Sequence, residues 1–126
     1  MKSSFELTTP PISVLEEPDF KKFIEFRKIV PEDLELIEQF SKLPKRLFLD
    51  FHNYFNSVEE SPVKSFETDL AYAQGRLAKA KLDNDSRFLE LTENRVKFLE
   101  LYLAFAKKYD TATCMNLNAI FERRGR

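Results

Sequence analysis

The segment from Ser86 to Tyr109, SRFLELTENRVKFLELYLAFAKKY, is the longest uninterrupted helical pattern in the chain. Its apolar residues recur at alternating spacings of three and four positions, the repeat of one face of an α-helix. Two neighbouring faces follow this repeat: Leu89, Thr92, Val96, Leu99, Leu103 and Ala106 form one, and Phe88, Leu91, Arg95, Phe98, Tyr102, Phe105 and Tyr109 form the other. A helix with two such faces has to be covered from several sides, so the segment predicts the core helix of a bundle or a helix shared with a partner.

The composition of the chain favours an all-α fold. Two Gly and six Pro in 126 residues supply few turns, which argues against an all-β protein. Charged residues make up 33% of the chain but the net charge is −1, so the surface as a whole is not basic enough to attract nucleic acid. We predict one helical domain over residues 18–126, a bundle of five or six helices, preceded by an extended arm over residues 1–17. Pro10 and Pro11 prevent a helix within that arm.

Proline residues mark the predicted helix starts. Helices are expected from Pro18, Pro31, Pro44 and Pro62, because proline is favoured at the first helical position. Ser61 supplies a capping hydroxyl before Pro62. From there a narrow, coiled-coil-like seam with small residues repeats at spacings of three and four: Val63, Phe66, Leu70, Ala73, Leu77 and Ala80. A last helix is predicted over residues 112–123.

The sequence Asp83-Asn84-Asp85-Ser86 interrupts the seam. All four residues prefer turns and N-caps, and continuing the repeat would place Asn84 and Arg87 in it. We predict a long antiparallel hairpin over about residues 62–109, made of helix 62–82, a short turn and helix 86–109. The alternative is one continuous helix of about 50 residues with a stutter, which would require a dimeric coiled coil.

The chain contains no recognisable catalytic or metal-binding motif, and only a site made of carboxylates alone stays open among its 21 Asp and Glu residues. Two isolated glycines do not form a phosphate-binding loop, and His52 and Cys114 are the only histidine and the only cysteine. We therefore predict no enzyme activity, no catalytic residue, no cofactor and no metal, and we assign His52 a structural or surface role. The acidic residues Glu32, Asp33 and Glu35 are explained by the start of a helix, where carboxylates suit the macrodipole.

A reducing compartment is the simplest setting for a chain with one cysteine, so we predict a cytoplasmic location. The N-terminal residues MKSSFELTTPP contain no apolar run of signal-peptide length. The apolar run before Lys107 is shorter than the roughly 20 residues that a bilayer requires. No membrane span is therefore expected.

A non-enzymatic interaction or assembly protein, acting through a helical surface as an oligomer or as a subunit of a complex, is the predicted function. Its expected partner interface is the aromatic stripe Phe98, Tyr102, Phe105 and Tyr109. The alternative is a nucleic-acid-associated accessory factor of the replication or phage-packaging type, with a basic C-terminal tail. The expected phosphate contacts are Lys107, Lys108, Arg123, Arg124 and Arg126, with Lys45 and Arg46 as further candidates. Small assembly factors of phages and mobile elements have this profile.

Two stretches resemble helices from assemblies on DNA. Within LTENRVKFLELYL, Leu91-Thr92 followed by Phe98, Tyr102 and Leu103 resembles the opening helix of phage small-terminase domains. The order LPKRLFLDFHNYF, then a long hairpin that ends in ENRVKFLELYL, is similar to the helical domain of GINS-type replication factors over residues 43–109. The two resemblances identify no functional residue, and they imply an assembly on DNA, in keeping with the alternative function.

Overall fold

The computed structural model describes residues 14–51 and 62–124, and these residues are helical throughout apart from short connections. They contain no strand, so the all-α prediction is confirmed. Six α-helices lie in the described ranges: α1 (Pro18–Arg27), α2 (Leu34–Phe40), α3 (Lys45–Leu49), α4 (Pro62–Asp83), α5 (Ser86–Ala106) and α6 (Thr111–Arg123). Residues 1–13 of the predicted arm, and His52 within the predicted third helix, lie outside the described residues.

The ends of several elements differ from the predicted ones. The last residues of the predicted arm form a 3-10 turn, Val14–Glu16, because Val14 is buried in the core and draws the chain onto the bundle. A second 3-10 turn, Pro31–Asp33, precedes α2. α5 ends at Ala106 and not at Tyr109, since the chain turns there toward Asp110, whose carboxylate accepts a hydrogen bond from the Thr113 N–H (2.9 Å) and caps α6.

The hairpin prediction is confirmed, and the continuous helix is not what the chain forms. α4 and α5 pack along their length, and the phase break in the sequence coincides with the turn between them. Asn84 adopts a left-handed conformation (φ 53°), which asparagine tolerates better than most residues. Asp85 then caps α5, because its carboxylate accepts a hydrogen bond from the Phe88 N–H at 3.1 Å.

Replacing Asp85 with Ala should lower the free energy of unfolding by about 1 kcal/mol, because α5 loses its N-terminal cap. Urea denaturation followed by circular dichroism measures this change. Asp83→Ala is the matched control two residues away. Asp83 is the last residue of α4, where a negative charge opposes the helix dipole, so its loss should leave stability unchanged or slightly raised. Equal losses for the two variants would contradict the capping role.

The core of the bundle is aromatic and is centred on Tyr102, which is fully buried. Four rings surround it, with centroids at 4.5 Å (Phe40), 4.9 Å (Phe51), 5.0 Å (Phe98) and 5.5 Å (Phe66). Its hydroxyl donates to Asn118 Oδ1 (3.3 Å), and Asn118 Nδ2 donates to the Phe48 carbonyl (2.9 Å). One side chain of α5 therefore contacts α2, α4 and α6 together with the end of the α3 segment.

A second anchor joins the end of α5 to the start of α2. Asp33 is buried, and its carboxylate accepts hydrogen bonds from Lys108 Nζ (2.8 Å) and from the Tyr109 hydroxyl (2.7 Å). The same hydroxyl accepts a hydrogen bond from the Val30 N–H at 3.0 Å. Burial on its own raises the pKa of Asp33, but these two hydrogen bonds and the charge of Lys108 outweigh it and hold the pKa below 3.8.

Candidate interaction surface

α4 has one covered side and one exposed side. Phe66, Ala73 and Ala80 are buried in the seam with α5, and α5 is the described helix against which α4 packs extensively. Residues 78–95, the tip of the hairpin, contribute no side chain to the main core cluster of the described residues. The tip is therefore held by the packing of its two helices against each other, and the small alanines of the seam let these helices approach closely.

The exposed side of α4 carries apolar residues. Positions 71, 75, 78 and 82 fall on one side of a helix, opposite the seam, and they are occupied by Ala71, Gly75, Ala78 and Leu82. Leu82 is 86% exposed, and Tyr72 beside this stripe is 66% exposed. A Cβ atom added at Gly75 would meet no other atom within 4 Å. Nothing in the described chain covers this side of α4 at its midpoint.

Two adjoining clefts run between this side of α4 and the neighbouring edge of α5. The larger encloses about 630 Å³ and is lined by Ala71, Tyr72, Gly75, Arg76, Lys79, Asp83 and Phe88. The smaller encloses about 370 Å³ and is lined by Thr68, Asp69, Tyr72, Ala73, Arg76, Thr92 and Arg95. Tyr72 and Arg76 belong to both clefts. We refer to the two clefts together with Leu82 as the hairpin face.

Arg76 links the two helices at the centre of the hairpin face. Its guanidinium carbon lies 5.8 Å from the centroid of the Tyr72 ring and 5.2 Å from that of the Phe88 ring. Arg76 Nη1 also donates to the Tyr72 hydroxyl at 3.3 Å. Cation–π contacts of this kind hold the arginine across the groove while its charge remains available to a ligand. Tyrosine and arginine are also the residues most often found at the energetic centre of protein interfaces.

Asp69 introduces a negative charge at the inner end of the hairpin face. Its Oδ2 atom is buried and accepts no hydrogen bond in the described part of the chain. Burial raises the pKa of Asp69 above its usual 3.8. A carboxylate oxygen that is withdrawn from water without a donor is an unfavourable arrangement in a lone chain, so a cation supplied next to Asp69 would stabilise it.

The predicted partner interface lies inside the bundle. Phe98, Tyr102 and Phe105 are fully buried against residues of their own chain. Tyr109 is half-buried, stacks on Phe105 with centroids 4.5 Å apart, and donates its hydroxyl to Asp33. The structure thus brings all four residues together, but as core and not as an outer surface. The two apolar faces of α5 do need cover, as their pattern indicated, and the chain itself provides it from Thr92 onward, whereas Leu91 near the tip of the hairpin is 39% exposed.

The predicted phosphate contacts do not form one patch. Lys107 and Arg123 are exposed, but α6 separates them, and its 13 residues place its ends about 18 Å apart. Lys108 is paired with Asp33 at 2.8 Å. Arg126 lies outside the described residues. Neutralised or separated cations give a weaker site for a nucleic-acid backbone than a continuous basic stripe does.

The remaining basic candidates also have partners within the chain or lie partly buried. Arg124 Nη2 pairs with Glu17 Oε2 at 2.9 Å, and Lys45 Nζ donates to the carbonyl oxygen of Arg124 at 2.8 Å. These groups line an open cleft of about 450 Å³ whose wall includes Phe121. Arg46 is half-buried, and its Nη2 atom has no hydrogen-bond partner among the described residues. The cleft therefore holds two cations and one carboxylate, a net charge of 2 − 1 = +1, and both cations are engaged within the chain.

The hairpin face itself was not predicted from the sequence. Its signal was present, because the residues at positions 71, 75, 78 and 82 repeat at spacings of four and three on the side opposite the seam. Three of the four are small, however, so the repeat carries little hydrophobicity compared with the aromatic stripes of α5. The exposure of Tyr72 depends on where the other helices pack, which no local pattern reveals.

Other chemistry in the described residues is sparse. Cys114 is buried, and burial, with a smaller effect of Asp110, raises the pKa of its thiol to about 12, so it stays protonated. Within residues 14–51 and 62–124, no three His, Cys, Asp or Glu side chains form a group that could hold a metal ion. In the same ranges no helix has both the length and the apolar character needed to cross a membrane.

Comparison of the chain with protein-family models, curated protein sequences and solved structures gave no match.

Proposed function

We propose that this chain is a non-enzymatic interaction or assembly protein that binds a protein partner through the hairpin face, as an oligomer or as a subunit of a complex. The observation that supports the proposal is the exposure of Tyr72 and Leu82 on the side of α4 opposite the seam with α5. Burying a large apolar side chain contributes roughly 1.5–3 kcal/mol, so a partner that covers both gains binding free energy. The single cysteine supports a reducing, cytoplasmic setting for this function.

The shape and the charges of the hairpin face suit a helical partner. Two packed helices leave a long groove into which the apolar side of a third helix fits. Tyr72 and Leu82 supply apolar anchors, while Lys79 and Asp83 supply a polar rim of both signs. An apolar centre with a mixed polar rim is the usual composition of a specific protein interface.

Replacing Tyr72 and Leu82 together with Ser should abolish partner binding while leaving the fold intact. Both side chains are exposed, so the bundle loses little packing. The measurement is affinity capture from extract of the native source, treated with nuclease, with the immobilised wild-type chain and the double variant side by side. The polypeptide that the wild type retains should be missing from the variant, while circular dichroism spectra of the two chains stay the same.

Phe26→Ser is the matched control, because Phe26 on α1 is 73% exposed and lies away from the hairpin face. This variant should retain the same polypeptide as the wild type. Retention by the double variant would place the interface elsewhere. Disappearance of the captured set after nuclease, with steep weakening in salt, would favour the nucleic-acid alternative through the exposed cations Lys107 and Arg123.

A further inference from the structure

We infer that the partner of the hairpin face is a second copy of this chain, whose α4 lies antiparallel to the first α4 about a twofold axis near Gln74. The inference rests on the proposed function and adds to it the identity and the orientation of the partner. Three features of α4 support it: the distribution of its charges, the side of the helix on which they lie, and the open surface at its midpoint.

The charges of α4 change sign along the helix. Residues 62–73 carry Lys64, Glu67 and Asp69, a net charge of 1 − 2 = −1. Residues 74–83 carry Arg76, Lys79, Lys81 and Asp83, a net charge of 3 − 1 = +2. A parallel second copy would place like halves together. An antiparallel copy places the acidic half of each α4 against the basic half of the other, which is the self-complementary arrangement that a twofold interface requires.

Individual charges of opposite sign also meet when the twofold axis lies at Gln74. With the axis at Gln74, residues equally far before and after this position meet, so Glu67 faces Lys81 of the second copy and Asp69 faces Lys79 of the second copy. In the described part of the chain, none of these four residues takes part in an ion pair of its own.

The positions of these charges around the helix also fit an antiparallel pair. At 100° per residue, Glu67 and Lys81 lie about 40° apart along one edge of the exposed side of α4, and Lys79 lies on the other half of that side. Asp69 lies farther round the helix, in the smaller cleft toward α5. In a twofold antiparallel pair each edge meets its own counterpart, so the pairing of Glu67 with Lys81 forms twice, once on each side of the axis. Lys79 of the second copy then lies at the mouth of the cleft that Asp69 lines together with Arg76 and Arg95, and adds a cation there.

The midpoint of α4 leaves room for the α4 helix of the second copy to approach. Gly75 and Ala71 lie near the axis, and the space that a Cβ atom at Gly75 would occupy is open. Tyr72 meets Arg76 of the second copy across the axis, two positions from Gln74 on either side. A helix of 22 residues is about 33 Å long and about 10 Å wide. A strip of these dimensions measures roughly 330 Å² on each copy, or about 700 Å² over both, which is the size of a weak, transient interface, so we expect a dissociation constant in the micromolar range or above.

The test is sedimentation equilibrium of the full chain across a range of micromolar concentrations, at low and at high salt. The wild type should pass from 14.9 kDa to twice that mass as concentration rises, and high salt should weaken the association. Two charge variants should each lose at least about tenfold in affinity, because like charges then meet across the axis. The first variant carries Glu67→Lys and Asp69→Asn, and the second carries Lys79→Glu and Lys81→Glu.

Mixing the two variants should restore the dimer, because lysine at position 67 of one variant then meets glutamate at position 81 of the other. Glu90→Lys with Glu93→Lys on the exposed side of α5 is the matched control and should dimerise like the wild type. Gly75→Arg should give a folded monomer, since it adds bulk where the lone chain has room.

Three results would overturn the inference. A wild type that stays monomeric at every concentration excludes the second copy, although the capture experiment still tests binding of another protein by the hairpin face. Dimers that persist in both charge variants exclude this pairing of α4. Variants that fail to recover on mixing exclude the antiparallel register.

Discussion

Tyr102→Ala should unfold the protein or lower its free energy of unfolding by about 3–5 kcal/mol, the usual cost of deleting a large buried aromatic side chain. Tyr102 is fully buried, and its ring contacts four other rings from separate segments. The cavity left behind would border all of these segments, so no single helix can shift to fill it. A domain of this size has only about 5–15 kcal/mol of total stability, which makes such a loss decisive.

Urea denaturation followed by circular dichroism measures this effect, and two further variants separate its causes. Tyr102→Phe keeps the ring but removes the donor to Asn118 Oδ1, so it should cost about 1–2 kcal/mol. Tyr72→Ala removes a tyrosine that is 66% exposed and should change stability by less than about 0.5 kcal/mol in the monomer. If the Tyr102→Ala and Tyr72→Ala variants were equally stable, Tyr102 would not be the centre of the core.

The helices and the hairpin could be predicted because their signals are local. Proline before a helix, the Asn84-Asp85 turn and the break in the seam each act over a few residues, and the structure contains all three. The 3-10 turns were not predicted: residues 14–16 were expected to belong to the extended arm, and the helix from Pro31 was expected to be α-helical from its first residue. Val14 is buried in the core, a property that no local pattern reveals.

The candidate site could not be predicted in the same way, because exposure is a property of the whole fold. The hydrophobicity of the aromatic stripe of α5 predicts a partner surface, yet the rings of Phe40 and Phe51 cover Tyr102 from positions far away in the sequence. The weaker repeat around Gly75 is the one left uncovered.

The acidic start of α2 illustrates the same limit. Asp33 was explained by the helix dipole alone, but it provides no side-chain cap for α2. It binds Lys108 and Tyr109 instead, which lie 75 and 76 residues further along the chain. A contact between residues so far apart in the sequence leaves no periodic signal. The same contact engages Lys108, one of the predicted phosphate contacts.

Asp33→Asn should lower the free energy of unfolding by about 1.5–3 kcal/mol at pH 7, because hydrogen bonds to a buried charged group are lost or weakened while the shape of the side chain is kept. Glu35→Gln changes an exposed carboxylate in the first turn of the same helix and should stay within about 0.5 kcal/mol of the wild type. Urea denaturation at pH 7 distinguishes the two variants, and equal stabilities would show that Asp33 is not an anchor.

The effect of Asp33 should also depend on pH in a definite direction. Its pKa in the folded chain is held below 3.8, whereas an unfolded aspartate has a pKa of about 3.9. The stabilisation is therefore complete well above the unfolded value and is lost as pH falls through the folded one. The difference in stability between the wild type and Asp33→Asn should stay constant from about pH 7 to pH 5 and shrink below about pH 4.

Asp110, whose pKa is lowered by its hydrogen bonds with Thr113, is present in both proteins and cancels in this difference. A gap that widened as the pH fell would mean that Asp33 is protonated more readily in the folded chain than in the unfolded one, and that its bonds to Lys108 and Tyr109 do not outweigh its burial.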